Sequence, residues 1–316
     1  MSELTFLELL KSKRVLFDGA MGTLLLSKNL GVQDYGGKEG CCEILNLTRP
    51  ELIEEIHGDY LEAGADAVET NTFQGSRLKL EEFGLGEKTR EINVVAAKMA
   101  RKAADNFSSP EKPRFVVGSI GPTAKLPSSS DSELTISFSR MREVLSEQAA
   151  CLIEGGVDAL VLETQQDILE TKAGIFGIRD AFKEQGKEVP VLVHIAIDKN
   201  GRMLMGTDVV AACAILEPLG VSGIGLDCSF GPEEMRDFVR VLAENCSLYI
   251  GCVPNAGIPE NRDGRPYFPL GPEEMAENLT ALAEQYSIDI IGGCCGTTPE
   301  HIRAMAAAAR RYAPRA

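Results

Sequence analysis

The stretch from Ala159 to Cys228 reads ALVLE at 159–163, VLVHIAI at 191–197 and GIGLDC at 223–228. Two longer amphipathic segments, Asp167 to Gln185 and Val209 to Leu216, separate these runs. Short runs that are apolar at nearly every position are buried on both faces, as strands of a parallel sheet are. Apolar residues three and four apart in the intervening segments mark helices. The alternation extends in both directions. Val15 to Asp18, Ala67 to Thr70 and Phe115 to Ser119 precede the stretch, and Leu248 to Val253 and Ile288 to Gly292 follow it, making eight runs in all. Helical segments lie at Pro50 to Ala63, Glu87 to Asn106, Ser139 to Glu154, Pro232 to Asn245, Pro272 to Tyr286 and Pro299 to Tyr312. Thr48 is the expected cap of the first of these, with Pro50 in its first turn and Gly64 at its stop. Strand and helix alternating eight times predict a single-domain α/β fold, a (β/α)8 TIM barrel, spanning 1–312. Residues 313–316 read as a tail that can lead to a further module. A doubly wound open sheet is the structural alternative, but no GxGxxG follows the first strand, against a dinucleotide-binding fold.

Of the 316 residues, 44% are hydrophobic and 25% charged, which suits one large soluble domain. The formal charge of −15 repels phosphate backbones and excludes nucleic acid as a natural partner. No apolar run reaches the roughly 18 residues that span a bilayer, so no membrane association is expected. The N-terminal MSELTFLELLKSKR mixes acids and bases and reads as a short amphipathic helix, not a signal peptide; the expected compartment is the cytoplasm. Nine cysteines, an odd number in a long chain, point to a reducing compartment and to metal or catalytic thiols. Cys151 and Cys213 sit in apolar helical runs and read as core. Cys246 and Cys252 flank a strand. Cys41 and Cys42 fall in a Gly-rich loop, which is preferred to a second metal site because no further ligand is near in sequence.

Active sites of such barrels lie at the C-terminal ends of the strands. Read there, the sequence places Asp18-Gly19-Ala20-Met21-Gly22-Thr23 after the first strand, Glu69 to Phe73 after the second and Gly118 to Thr123 after the third. Glu163 and Thr164 end the fourth, Asp227-Cys228-Ser229 the sixth, Pro254 to Gly257 the seventh, and Gly292 to Thr297, with Cys294 and Cys295, the eighth. Adjacent cysteines in a regular strand point to opposite faces, so a shared ligand requires a sharp turn. Gly292, Gly293 and Gly296 permit one. Three thiolates favour zinc over hard cations, and three protein ligands leave one position for water or substrate. The competing reading is three core cysteines in a glycine-rich strand. Three thiolates leave a zinc centre with a single negative charge, a poor water activator but one suited to holding a substrate thiol as nucleophilic thiolate. The implied chemistry is thiol alkylation. His57, His194 and His301 join no ligand-spaced cluster, and His194, inside the fifth strand, reads as core or as a support to the site.

The segments DGAMGT (18–23), ETNTF (69–73), GPT (121–123), DCS (227–229), PNAG (254–257) and GGCCGTTPEHI (292–302) resemble the homocysteine S-methyltransferase family, in the family's order and over nearly the whole chain. Gly296-Thr297-Thr298-Pro299 after the cysteine pair is most similar to the homocysteine-binding domain of the cobalamin-dependent branch. The resemblance implies that Cys228, Cys294 and Cys295 are zinc ligands and that Asn255 can fill the fourth position without substrate. It implies that Asp18 and Glu163 receive the substrate ammonium. Backbone N–H groups at Gly19, Ala20 and Thr23 suit the substrate carboxylate. It further implies methyl transfer from methylcobalamin, carried by a separate cobalamin-binding domain or corrinoid protein, to homocysteine, giving methionine. The alternatives are another donor (betaine or S-methylmethionine), another thiol acceptor, or a non-catalytic zinc-binding scaffold. Two positions depart from the pattern: Asp227 stands where Asn is usual, and Val253 where the cobalamin branch tends to have Glu.

Overall fold

The structure is a computed structural model and describes residues 4–262 and 265–309. Its strands are β1 (Val15–Leu16), β2 (Ala67–Glu69), β3 (Phe115–Ile120), β4 (Ala159–Gln165), β5 (Val191–Ile195), β6 (Gly223–Asp227), β7 (Tyr249–Val253), β8 (Glu260–Arg262), β9 (Arg265–Tyr267) and β10 (Ile290–Ile291). Eight of them form one parallel sheet in the order β1-β10-β7-β6-β5-β4-β3-β2. A parallel bridge between Phe17 and Ala67, with Asp66 N–H donating to Leu16 C=O at 2.7 Å, joins the first strand to the second and brings the sheet round to a barrel. Helices lie outside, the longest being Thr89–Phe107, Phe138–Gly155 and Ile168–Gln185. The fold is the (β/α)8 barrel that the alternation predicts. The segment 310–316, including the expected tail, lies outside the described residues.

A short repeated device starts several strands. Gly64, Gly156 and Ser287 end the preceding helices with φ of +122°, +97° and +55°, and an aspartate follows two residues later. Each aspartate then reaches across to a neighbouring strand. The Asp66 carboxylate accepts from Leu16 N–H at 3.0 Å, Asp158 from Val116 N–H at 2.7 Å and Asp289 from Ile250 N–H at 2.8 Å. Each bond fixes register at the N-terminal rim, where the sheet would otherwise fray.

The N-terminal helix Phe6–Ser12 opens with a capping box between Thr5 and Glu8. Its Phe6, Leu9 and Leu10 pack with inward-facing Val15, Phe17, Val117, Val161 and Ile290, filling the lower barrel. The opposite, C-terminal mouth remains for the polar loops. Among the described residues, no helix is long and apolar enough to cross a membrane.

Several boundaries differ from expectation. Thr48 does not cap the helix Pro50–Ala63. It ends a separate turn, Leu45–Thr48, with its hydroxyl bonded back to Ile44 C=O at 3.2 Å, and Arg49 occupies the cap. Pro50 disfavours helical backbone at the residue before it, so Arg49 breaks the chain at φ −140°. The helices Met21–Ser27 and Arg77–Glu81 and the antiparallel hairpin β8–β9 are additions to the predicted set.

Candidate metal centre

Cys228 follows β6 directly and adopts φ +44°, a left-handed conformation uncommon outside glycine. Its N–H still donates to Val253 C=O at 3.3 Å. The kink turns the thiol out of the strand's alternation and over the barrel mouth. On the other side β10 stops at Ile291, and Gly292 and Gly293 carry the chain through tight space. A Cβ at Gly292 would lie 2.8 Å from Phe17 Cβ, and one at Gly293 would lie 2.5 Å from Thr297 Cγ2. Cys294 N–H then donates to Pro254 C=O at 2.8 Å, Cys295 N–H to Asn255 Oδ1 at 3.1 Å, and Cys295 C=O accepts from Ala256 N–H at 2.9 Å. Thr297 closes the turn by donating its N–H (3.1 Å) and hydroxyl (2.7 Å) to Cys294 C=O. Gly296, at φ +81°, sits under the Phe268 ring and donates its N–H to Thr23 Oγ1 at 3.0 Å. Every backbone group of the pair is held, so both sulfurs can face one point.

The Sγ atoms of Cys228 and Cys295 are 3.5 Å apart, those of Cys294 and Cys295 4.0 Å, and all three lie within 4.8 Å of one another. Thiolates on a tetrahedral zinc with Zn–S near 2.3 Å are about 3.8 Å apart, so this spacing fits one such ion. The thiols are half-buried and share protons. Thiol donors on Cys228 and Cys294 hold Cys295 down at about 3, while that arrangement pushes Cys294 well up.

Beside the sulfurs lie four carboxyls from four strands. Asp18 follows β1, Glu69 ends β2, Glu163 lies in β4 and Asp227 ends β6. Burial raises all four; the Glu163 charge raises the other three further, and the Cys295 sulfur raises Glu163. Asp18 and Glu69 stand well above the usual range, Glu163 is pushed to about 7, and Asp227, with Glu163 adding to its burial, to about 8. Asp18 Oδ2 accepts from Glu69 N–H at 3.1 Å, and Ser119 donates its hydroxyl to Glu163. Asp18 Oδ1 and Asp227 Oδ1 are buried with no partner.

Asn255 is 5% exposed and spends its side-chain oxygen on the cysteine turn. Ala20 donates its N–H to Thr297 Oγ1 at 3.1 Å and Thr23 accepts from Gly296, so these two predicted residues staple the first loop to the last. Gly19 lies against Tyr60, whose hydroxyl donates to Ala20 C=O at 3.1 Å.

Residues 15–309 match the family model described as homocysteine S-methyltransferase. The chain belongs to this family. It is 42% identical over 305 residues to a methionine synthase of Mycobacterium leprae and 41% identical over 302 residues to one of Mycobacterium tuberculosis, each match covering 96% of this chain. It spans 25% of the length of either relative. In fold it is similar to the metallated form of the homocysteine methyltransferase MmuM from Escherichia coli. The TM-score is 0.75 at 23% identity, covering 94% of this chain and 96% of that one.

Within this homocysteine S-methyltransferase barrel, the remaining cysteines and histidines stay apart from the centre. Cys151, Cys213 and Cys252 are buried core, and Cys246 is half-buried. Cys41 is enclosed beside Glu43, with its thiol donating across 3.8 Å, and Cys42 opens a short 3-10 turn. Among the described residues, neither joins a group able to hold a metal. His194 packs inside the barrel against Gly225 and Gly251, and burial lowers it to about 4, so it is neutral. Glu69 was not among the predicted site residues. The signal was its position at a strand end, but only the closed barrel brings it against Asp18 and Glu163.

Proposed function

We propose that this chain binds zinc on Cys228, Cys294 and Cys295 and methylates the thiol of homocysteine to give methionine. The methyl donor in this reading is methylcobalamin, carried by a separate cobalamin-binding domain or corrinoid protein. The observation that carries the proposal is three sulfurs within 4.8 Å of one another on a half-open barrel mouth. Zinc bound there would lower the pKa of a substrate thiol and keep electron density on its sulfur. Asp18 and Glu163 would receive the substrate ammonium, since carboxyls crowded in a low-dielectric mouth favour a cation. The substrate carboxylate would rest against the backbone near Gly19. Asn255 would hold the cysteine turn and stand next to the open position.

A donor on a macromolecule is supported by the mouth's surroundings. Of nine exposed large hydrophobic residues among those described, six lie in the excursions that leave a barrel strand before the next outer helix, Leu26 within the short helix Met21–Ser27 and Tyr267 within β9. They are Leu26, Val32, Leu134, Leu204, Ile258 and Tyr267. A rim of apolar side chains around a polar site suits a docking protein better than a small donor in water.

The test is to load the chain with zinc, add L-homocysteine, and supply methylcobalamin, S-methylmethionine or betaine separately. Methionine formed from methylcobalamin, and not from the other two, is expected. Methionine formed only from S-methylmethionine or betaine would replace the donor, and none from any donor would favour a scaffold.

A further inference from the structure

Four carboxyls and three sulfurs share the barrel mouth, and the charges acting on the carboxyls are one another's and that of the Cys295 sulfur. None of the groups acting on them is basic. Asp227 differs from an ordinary member of an acidic cluster because its orientation is fixed. Its Oδ2 accepts both the N–H (2.7 Å) and the hydroxyl (3.0 Å) of Thr164. Thr164 itself sits at φ +54°, where the β4 register shifts between Leu162 and Gln165. Two bonds to a strained backbone position leave the carboxyl no freedom to turn. Its Oδ1 is therefore held in place, buried and without any partner, in a side chain only 1% exposed. Leaving a buried carboxyl oxygen unpaired is costly, and a cation is the ligand that relieves it.

We infer that Asp227 is a specificity-determining residue of the acceptor pocket, whose free oxygen joins Asp18 and Glu163 in selecting a thiol that carries an ammonium group over one of equal length that does not. The assignment rests on the thiol-acceptor reading above and adds to it a residue and a selection rule. Glu163 gains a second benefit, because Asp227 fixes the bulge from which it projects.

The measurement is calorimetric titration of the zinc-loaded chain, at one pH near neutrality, with L-homocysteine and with 4-mercaptobutanoate, which lacks only the amine. Wild type is compared with Asp227→Asn, a variant of the same volume whose amide oxygen still accepts from Thr164. Zinc content is checked in both. Removing one charge-assisted contact should weaken homocysteine by about tenfold or more, with 4-mercaptobutanoate changed by less than about twofold. Equal weakening of both thiols, or no change in either, overturns the assignment. Wild type binding the two thiols equally also overturns it, without recourse to the variant. Wild type that holds zinc and binds neither thiol defeats the functional reading itself, an outcome distinct from an unchanged ratio.

Discussion

At Cys228 the chain leaves β6 in a left-handed conformation that costs on the order of 1–3 kcal/mol for a non-glycine residue. The hydrogen bond to Val253 and the packing of β6 and β7 hold it there. Nothing in the local sequence DCS announces this, since a cysteine carries no left-handed preference. The turn at Cys294 and Cys295, by contrast, was legible, because Gly292, Gly293 and Gly296 free the backbone to bend on both sides of an adjacent pair. Buried acids follow the same division. Asp18 and Glu163 could be found from strand ends, but the burial that raises these carboxyls, and the Glu163 charge that raises its neighbours, arise only when the barrel closes.

Glu170, in the first turn of Ile168–Gln185, shows what such burial does to stability. It accepts from Thr123 N–H at 2.8 Å and hydroxyl at 2.7 Å through Oε1, while Oε2 is buried with no partner. Burial raises it from 4.5 to about 7. The folded state therefore keeps a proton that the unfolded chain releases above about pH 4.5. Its contribution is fully present below that value and is lost as pH rises through about 7, amounting to about 3 kcal/mol by linkage. Glu170→Gln, a mimic of the protonated form, should gain stability relative to wild type between pH 5 and pH 8. Denaturant unfolding of both at each pH measures this, and parallel pH dependences would contradict it.

At the scale of elements, helices Phe138–Gly155 and Ile168–Gln185 approach through backbone. A Cβ at Gly177 would lie 2.6 Å from Arg142 C=O and 2.9 Å from Ser146 N, atoms that cannot rotate away. Gly177→Ala should force the helices apart and lower stability by about 1–3 kcal/mol, although alanine is the better helix former. Thermal unfolding of the variant checks this, and a raised Tm would show that the interface can give. Helix limits at Gly64, Pro232 and Pro272 were legible because glycine and proline act locally. The hairpin β8–β9 was not, as β8 is exposed and Pro266 stands within β9. The Asp-Gly pair at 263–264 was the available signal. The helix Met21–Ser27 was missed because the glycine at 22 obscures its short pattern.

Across the whole molecule, the barrel divides labour between its ends. Phe6, Leu9 and Leu10 fill the lower end with apolar contacts, and the aspartates 66, 158 and 289 fix strand register there. Stability placed at one end lets the other carry features that cost it: a left-handed cysteine, a bulged β4 and carboxyl oxygens without partners. Eight strands were countable because each is a continuous apolar run. The closure at Phe17 and Ala67 was not, since it depends on residues 50 positions apart meeting across the last gap. Our proposal makes this costly end an open thiol-binding zinc centre. Zinc X-ray absorption on the reduced, zinc-loaded chain, with and without L-homocysteine, is the decisive measurement. The Zn–S count is expected to rise from three to four on adding homocysteine; a count that does not change, or a chain that binds no zinc, would contradict the proposal.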